Sequence, residues 1–311
     1  MRTPIPVLTV NSIVTIVCAM LLGACTPISR AIPPEPTETQ LTATAPPSPT
    51  ALPSATASPS PSPTSAPTVT PTPMAPLIAV DAGHGGRDLG ARHCDAQGQM
   101  DYHESTVTLE LARLVRDVLV QRGFRVLMVR DGDYLLNDFE EDTNGDGVVD
   151  TADDLQARID LVNAEGADLL LSIHLNAFFF ASGADASDVG GIITYYCAER
   201  SFSDDNHRFA QCVHEALLTT FREELGHAID DRGVEVDTAL GGHLYLLGPE
   251  TERITRASAM PGVLSEPLFL THRREGELAR DPVALQTLAT AYADAVEAYF
   301  AGAPEDTRSM P

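Results

Sequence analysis

Two histidines that close apolar runs, with a glutamate between them, carry the clearest chemistry in this chain. The first run, Leu77-Ile78-Ala79-Val80, leads into Asp81-Ala82-Gly83-His84-Gly85-Gly86, where the glycines let the backbone bend sharply past a strand end. The second, Ala167 to Ile173, leads into His174-Leu175-Asn176-Ala177. One histidine in a glycine-rich turn is an ordinary surface residue. A second at another strand end changes the reading, because α/β proteins place their sites there. With Glu104, His84 and His174 supply three ligands of the kinds zinc takes and leave a fourth position for water, the arrangement of a catalytic centre. Spacing alone does not separate Glu104 from the adjacent His103, and His93 and Cys94 stand nearby as rival ligands. A phosphate-binding reading of the glycine turn fails, because Asp88 occupies the place of the third glycine in G-x-G-x-x-G.

The elements that must position these residues alternate strand and helix patterns. A polar loop from Arg87 to Asp101 precedes a helix from about Ser105 to Arg122, with Val107, Leu111, Leu114, Val115 and Val118 at helical spacing and Gly123 as its stop. A strand from Phe124 to Val129, an acidic loop and a helix from Asp153 to Ala164 lead to the strand that ends at His174. Ile192 to Cys197, Leu244 to Leu247 and Gly262 to Leu264 read as further strands, and Asn206 to Phe221 and Pro282 to Phe300 as helices. The βαβα order predicts an α/β fold, a mostly parallel twisted sheet of about six strands flanked by helices.

At this point the chain resembles the zinc-dependent N-acetylmuramoyl-L-alanine amidases of bacterial cell-wall turnover, in their amidase type 3 catalytic domain. The resemblance rests on Val80-Asp81-Ala82-Gly83-His84-Gly85-Gly86, on Glu104 followed by Leu109 and Ala112, on Ser172-Ile173-His174-Leu175-Asn176-Ala177, and on Val263-Leu264-Ser265-Glu266. It spans Pro76 to Ala301 with the blocks in family order. The resemblance implies that His84, Glu104 and His174 hold one zinc, that Glu266 is the general base, and that peptidoglycan is the substrate. The bond cut would join the N-acetylmuramoyl lactyl group to L-alanine. Other zinc-dependent wall hydrolysis, deacetylation or peptide cleavage, shares the same metal set. A non-catalytic calcium-dependent wall-binding module is the alternative outside enzymes.

Composition bounds the rest. Of 311 residues, the first 75 are too biased to build a core, so one catalytic domain is expected over 76–303, with a disordered tail at 304–311. Arg2 and the apolar segment Val7 to Leu22 end in Leu22-Gly23-Ala24-Cys25, which resembles a lipoprotein signal at 1–24 with Cys25 as the lipidated residue. The protein is thus expected outside the cytoplasm, held to the membrane by lipid. Residues 25–75 are rich in Pro, Ser and Thr and read as a tether, whose reach lies between about 40 Å as a coil and about 140 Å as polyproline II. The formal charge of -24 argues against nucleic acid. A monomer is expected. Cys94, Cys197 and Cys212 allow one disulfide at most.

One insertion departs from the family pattern. Asp142, Asn144, Asp146, Gly147, Asp150 and Asp153 fall at positions 1, 3, 5, 6, 9 and 12 of a calcium loop, with Val148 at the position that offers a backbone carbonyl. The terminal Asp and the single copy resemble a dockerin repeat without its pair. A structural Ca2+ is expected over 142–153, with an exiting helix and no entering one.

Overall fold

Strand-forming runs of Val, Ile, Leu and Ala build the centre of the molecule, a six-stranded sheet. The computed structural model describes residues 74–302 except 96, 98 and 180–186. The chain runs β1 (Leu77–Ala82), the hairpin β2 (Arg92–Cys94) and β3 (Met100–His103), α1 (Glu104–Gln121) and β4 (Arg125–Met128). It continues through α2 (Thr151–Ala164), β5 (Leu169–Ile173), β6 (Ile192–Tyr196), α3 (Ser203–Glu223) and β7 (Asp231–Val236). A short 3-10 turn, Asp237–Leu240, then precedes β8 (Gly262–Glu266), α4 (Arg273–Leu278) and α5 (Pro282–Ala301). The signal segment, the tether with Cys25, and the tail at 304–311 lie outside the described residues. Among the described residues no helix is long and apolar enough to cross a membrane.

The strand order is β4-β1-β5-β8-β6-β7. The pairs β4/β1, β1/β5 and β5/β8 are parallel, β8/β6 is antiparallel and β6/β7 is parallel. The chain leaves β1 for β4 on one side and returns to β5 on the other, so a topological switch point lies beside β1, where open α/β sheets form their ligand crevice. Alternate residues of β1 serve opposite faces. Ile78, Val80 and Ala82 join the core with α1, α3 and α5, while Leu77 and Ala79 join a second core with Ile159 and Val162 of α2.

The helices form where the apolar period demands. Along α1, Val107, Leu111, Val115 and Leu119 are buried on one stripe. Asp150 caps α2 by accepting from Ala152 N, and Asp153 reciprocates in a capping box, so α2 starts two residues before the predicted Asp153. α5 begins with Asp281 as cap and Pro282 in its first turn.

Two expectations need correction. Leu244 to Leu247 is a turn, closed by bonds from Leu247 N and Gly248 N to Leu244 O. Its apolar residues are buried beside the sheet rather than in it, and a four-residue apolar run cannot tell those two fates apart. The sixth strand is instead β7, whose sequence Asp-Arg-Gly-Val-Glu-Val belongs to a half-exposed edge. The segment from Arg87 to Asp101, expected as a loop, carries β2 and the start of β3, which runs on to His103. Cys94, Cys197 and Cys212 are free thiols, within the limit of one disulfide that their number allows.

Candidate metal centre

The register of the parallel strands brings the site together. Ala82 of β1 lies beside Ile173 of β5, and Ile173 beside Ser265 of β8, so the residues just beyond them emerge on one rim. His84 turns there in a left-handed conformation with φ 62°. Two buried arginines hold this turn by its carbonyl oxygens. Arg130 donates to Ala82 O, Gly83 O and Ser105 O. Arg158 donates to Ala82 O and to His84 O at 2.9 and 2.6 Å. The charge of Arg158 is met by Asp81 and Asp154, both at 2.7 Å. Although burial opposes its charge, Asp81 is held below the ordinary carboxylate range by Arg158.

Glu104, the first residue of α1, reaches both histidines. Its Oε2 lies 3.2 Å from His84 Nε2 and its Oε1 lies 3.1 Å from His174 Nδ1. The same two oxygens accept from Ala91 N and Leu175 N, each at 2.8 Å, which fixes the carboxylate in place. One donor atom from each of His84, Glu104 and His174 lies within 4.8 Å of the others, and the imidazole rings meet edge to face at 4.9 Å. The backbone leaves this space deliberately open. A Cβ at Gly90 would run into Glu104 and His84, and one at Gly83 into the His174 ring.

The rivals are engaged elsewhere. His93 pairs with Asp101 at 2.6 Å and stacks on Tyr102, and His103, the residue before α1, faces Ser105 Oγ at 2.9 Å. Cys94 belongs to none of the convergent clusters among the described residues. A residue that spacing did not single out, Asp88, holds His84 Nδ1 at 2.8 Å. This leaves Nε2 directed at Glu104, as a ligating histidine with an anchored second nitrogen requires. Burial works against charge on His84, yet Glu104 and Asp88 raise its proton affinity to a pKa of about 10. A divalent cation would meet that same negative potential, and the donor set of two imidazoles and one carboxylate fits zinc.

Glu266 ends β8 and is almost fully buried. Burial, and then the charge of Glu104, push its pKa up to about 8. Asn176, two residues past His174, donates from Nδ2 to Glu266 Oε2 at 2.5 Å and ties the carboxylate to the rim of β5.

The loop Asp142–Asp153 is a succession of side-chain turns. Asp142 accepts from Gly145 N, Asp146 N and Gly147 N, Asn144 from Asp146 N, and Asp146 from Val148 N. Asp153 accepts from Asn144 N and Asp150 N and so closes the loop end to end. Its carboxylates do not form one of the clusters within 4.8 Å found among the described residues.

Residues 78–298 match the N-acetylmuramoyl-L-alanine amidase family. The chain is 25% identical over 243 residues to N-acetylmuramoyl-L-alanine amidase AmiA of Escherichia coli (strain K12), which covers 72% of this chain and 76% of that one. It is 29% identical over 224 residues to the germination-specific N-acetylmuramoyl-L-alanine amidase of Bacillus subtilis (strain 168), 72% of this chain and 79% of that one. The fold is shared with the CwlD amidase from Clostridioides difficile, solved in complex with the GerS lipoprotein, at a TM-score of 0.55 and 23% identity, over 73% of this chain and 98% of that one. The match over most of its length places this chain in the N-acetylmuramoyl-L-alanine amidase family, as a peptidoglycan hydrolase.

Proposed function

We propose that the protein is a zinc-dependent amidase, with the metal held by His84, Glu104 and His174 and with Glu266 as general base and acid. The observation that carries this reading is the convergence of those three donors on the rim that also bears Glu266. Zinc, when bound, polarises the scissile carbonyl and makes an attacking water acidic near neutral pH. Glu266 would take a proton from the attacking water and pass it to the nitrogen of L-alanine, so that one amide and one water become an amine and a carboxylic acid, which then ionises to solvent. Asn176 occupies Oε2 of Glu266, which leaves Oε1 to carry the proton. Asp88 orients His84 through Nδ1, and Arg130 and Arg158 keep the turn beneath it from relaxing.

The test is metal content and product analysis on the full chain. His84→Ala or His174→Ala is expected to lose one equivalent of zinc together with activity, because a site of three ligands rarely keeps its metal with two. Mass spectrometry of digested peptidoglycan should show free stem peptides beginning with L-alanine. Acetate release, or cuts within the stem, would refute the bond assignment.

Two further parts of the proposal rest on sequence. Attachment at Cys25 would hold the enzyme outside the cytoplasm on its tether, and Cys25→Ala should move it from the membrane fraction to the soluble one. Calcium binding by Asp142, Asn144, Asp146, Val148, Asp150 and Asp153 is supported by the template match of the sequence.

A further inference from the structure

A second cluster of ligand-type side chains lies at the other end of the sheet. Cys197 follows β6, Asp237 follows β7, and His243 stands a few residues beyond. Because β6 runs antiparallel to β8, its start pairs Ile193 with Glu266 and its end pairs Tyr196 with Val263. The cluster is therefore remote from Glu266 and from the rim of His84 and His174. There, Cys197 Sγ lies 3.7 Å from His243 Nδ1, and Asp237 Oδ2 lies 3.0 Å from the same nitrogen. One donor atom of each residue lies within 4.8 Å of the other two.

A thiol, an imidazole and a carboxylate in contact first suggest an activated nucleophile. The geometry excludes it. In such a relay the base uses one ring nitrogen for the nucleophile and the other for the acid that orients it, whereas here thiol and carboxylate both approach Nδ1. Cys197 is also 0% exposed, out of reach of a polymer substrate.

Three unlike donors converging on one point are what a cation requires, and two independent features point to one. Asp237 Oδ2 accepts from Leu244 N at 3.2 Å, but Oδ1 is buried with no hydrogen-bond partner, in a residue only 1% exposed. A buried carboxylate oxygen that no protein group pairs is costly, and a metal ion would satisfy it. The other ring nitrogen of His243, Nε2, faces Glu199 Oε2 at 3.5 Å. A ligating histidine commonly presents its second nitrogen to a carboxylate in this way.

We propose that Cys197, Asp237 and His243 form a second zinc site, with three protein ligands and a fourth position left to water, separate from the amidase centre. On binding, the S–H bond of Cys197 breaks, a sulfur–zinc bond forms and the proton leaves to solvent. His243 gives the lone pair of Nδ1 and keeps its proton on Nε2 toward Glu199. Thiolate and carboxylate together balance the two charges of the ion. Without metal, burial and the charge of Asp237 push the thiol up to about 11, so metal uptake is what ionises it. The bound ion fastens the segment that follows the edge strand β7 to the end of β6.

Cobalt tests this without reference to activity. The metal-free full chain is titrated with Co2+ and its near-ultraviolet absorption followed. The amidase centre offers only nitrogen and oxygen donors, so a thiolate-to-cobalt charge-transfer band can arise only from a cysteine. We expect the band in the native chain, in His84→Ala, and in a variant with Cys18, Cys25, Cys94 and Cys212 all replaced by Ser. It should vanish in Cys197→Ser, and zinc content should fall from two equivalents to one in His243→Ala. Absence of the band from the native chain, or its persistence in Cys197→Ser, would overturn the proposal. Loss of the His84 centre would leave it standing, since the two sites share no ligand.

Discussion

Replacing Arg158 with methionine retains an apolar stem of similar length and deletes the guanidinium. In the native protein that group meets Asp81 and Asp154, 0% and 2% exposed, and caps the carbonyl oxygens of Ala82 and His84. Removing one partner of a buried ion pair costs about 3–5 kcal/mol, because the other charge stays buried and uncompensated. The two carbonyls add to this, and water entering the space subtracts, so about 4 kcal/mol is expected at pH 7. For a domain of this size that corresponds to a fall of about 8–16 °C in melting temperature. The pH dependence gives the sharper check. In the native protein Asp81 lies below its ordinary value of 3.8, so its stabilising contribution is present above that value and lost only at lower pH. Without Arg158, burial raises Asp81 against only the charge of His174 and the hydrogen bond from Ser172, so its pKa moves up, folding favours the protonated form and stability weakens as pH rises. The deficit of Arg158→Met should therefore shrink markedly between pH 7 and pH 4.5. Urea unfolding of both proteins in chelator, which removes zinc from the comparison, measures it. A deficit below about 1 kcal/mol, or one equal at the two pH values, would refute the account of how the glycine turn is held.

Glu266→Gln should retain zinc while turnover falls by roughly 10² or more, since the amide keeps the shape and loses the base; near-native turnover would remove Glu266 from the mechanism. Activity should fall as pH drops and Glu266 gains its proton, and Asn176→Ala should move that limb to higher pH, because the bond from Asn176 stabilises the charged carboxylate. An unmoved limb would mean that another group sets it. Calcium at a hundredfold excess over Kd should stabilise the domain by about 2.7 kcal/mol if only the folded state binds it. Asp146→Ala should erase that gain and leave the amidase metal in place; identical melting of the native protein in calcium and in a calcium-selective chelator would reduce the loop to an acidic turn.

What the sequence determined by itself was local. Apolar runs closed by His84, His174 and Glu266 announced strand ends, and the stripe Val107, Leu111 and Val115 announced α1, because both signals depend on periods within a few residues. The α/β class and the mostly parallel sheet followed from their alternation. Tertiary structure alone decided what depends on partners distant in the chain. Only the strand order sets β1, β5 and β8 side by side, and that adjacency gives a physical reason, contact with both histidines, for the choice of Glu104 over His103 that in the sequence rested on the family pattern alone. Asp88 and Asn176 gained their parts as orienting groups through contacts that no period predicts. Arg158 did leave a trace, a charged residue on the apolar stripe with Leu155, Ile159 and Val162, but its partner Asp81 lies 77 positions away. β7 was missed and Leu244 to Leu247 misplaced for one physical reason. An edge strand need not be apolar when one side of its backbone faces solvent, and a buried run need not be a strand when it packs against the sheet instead of joining it.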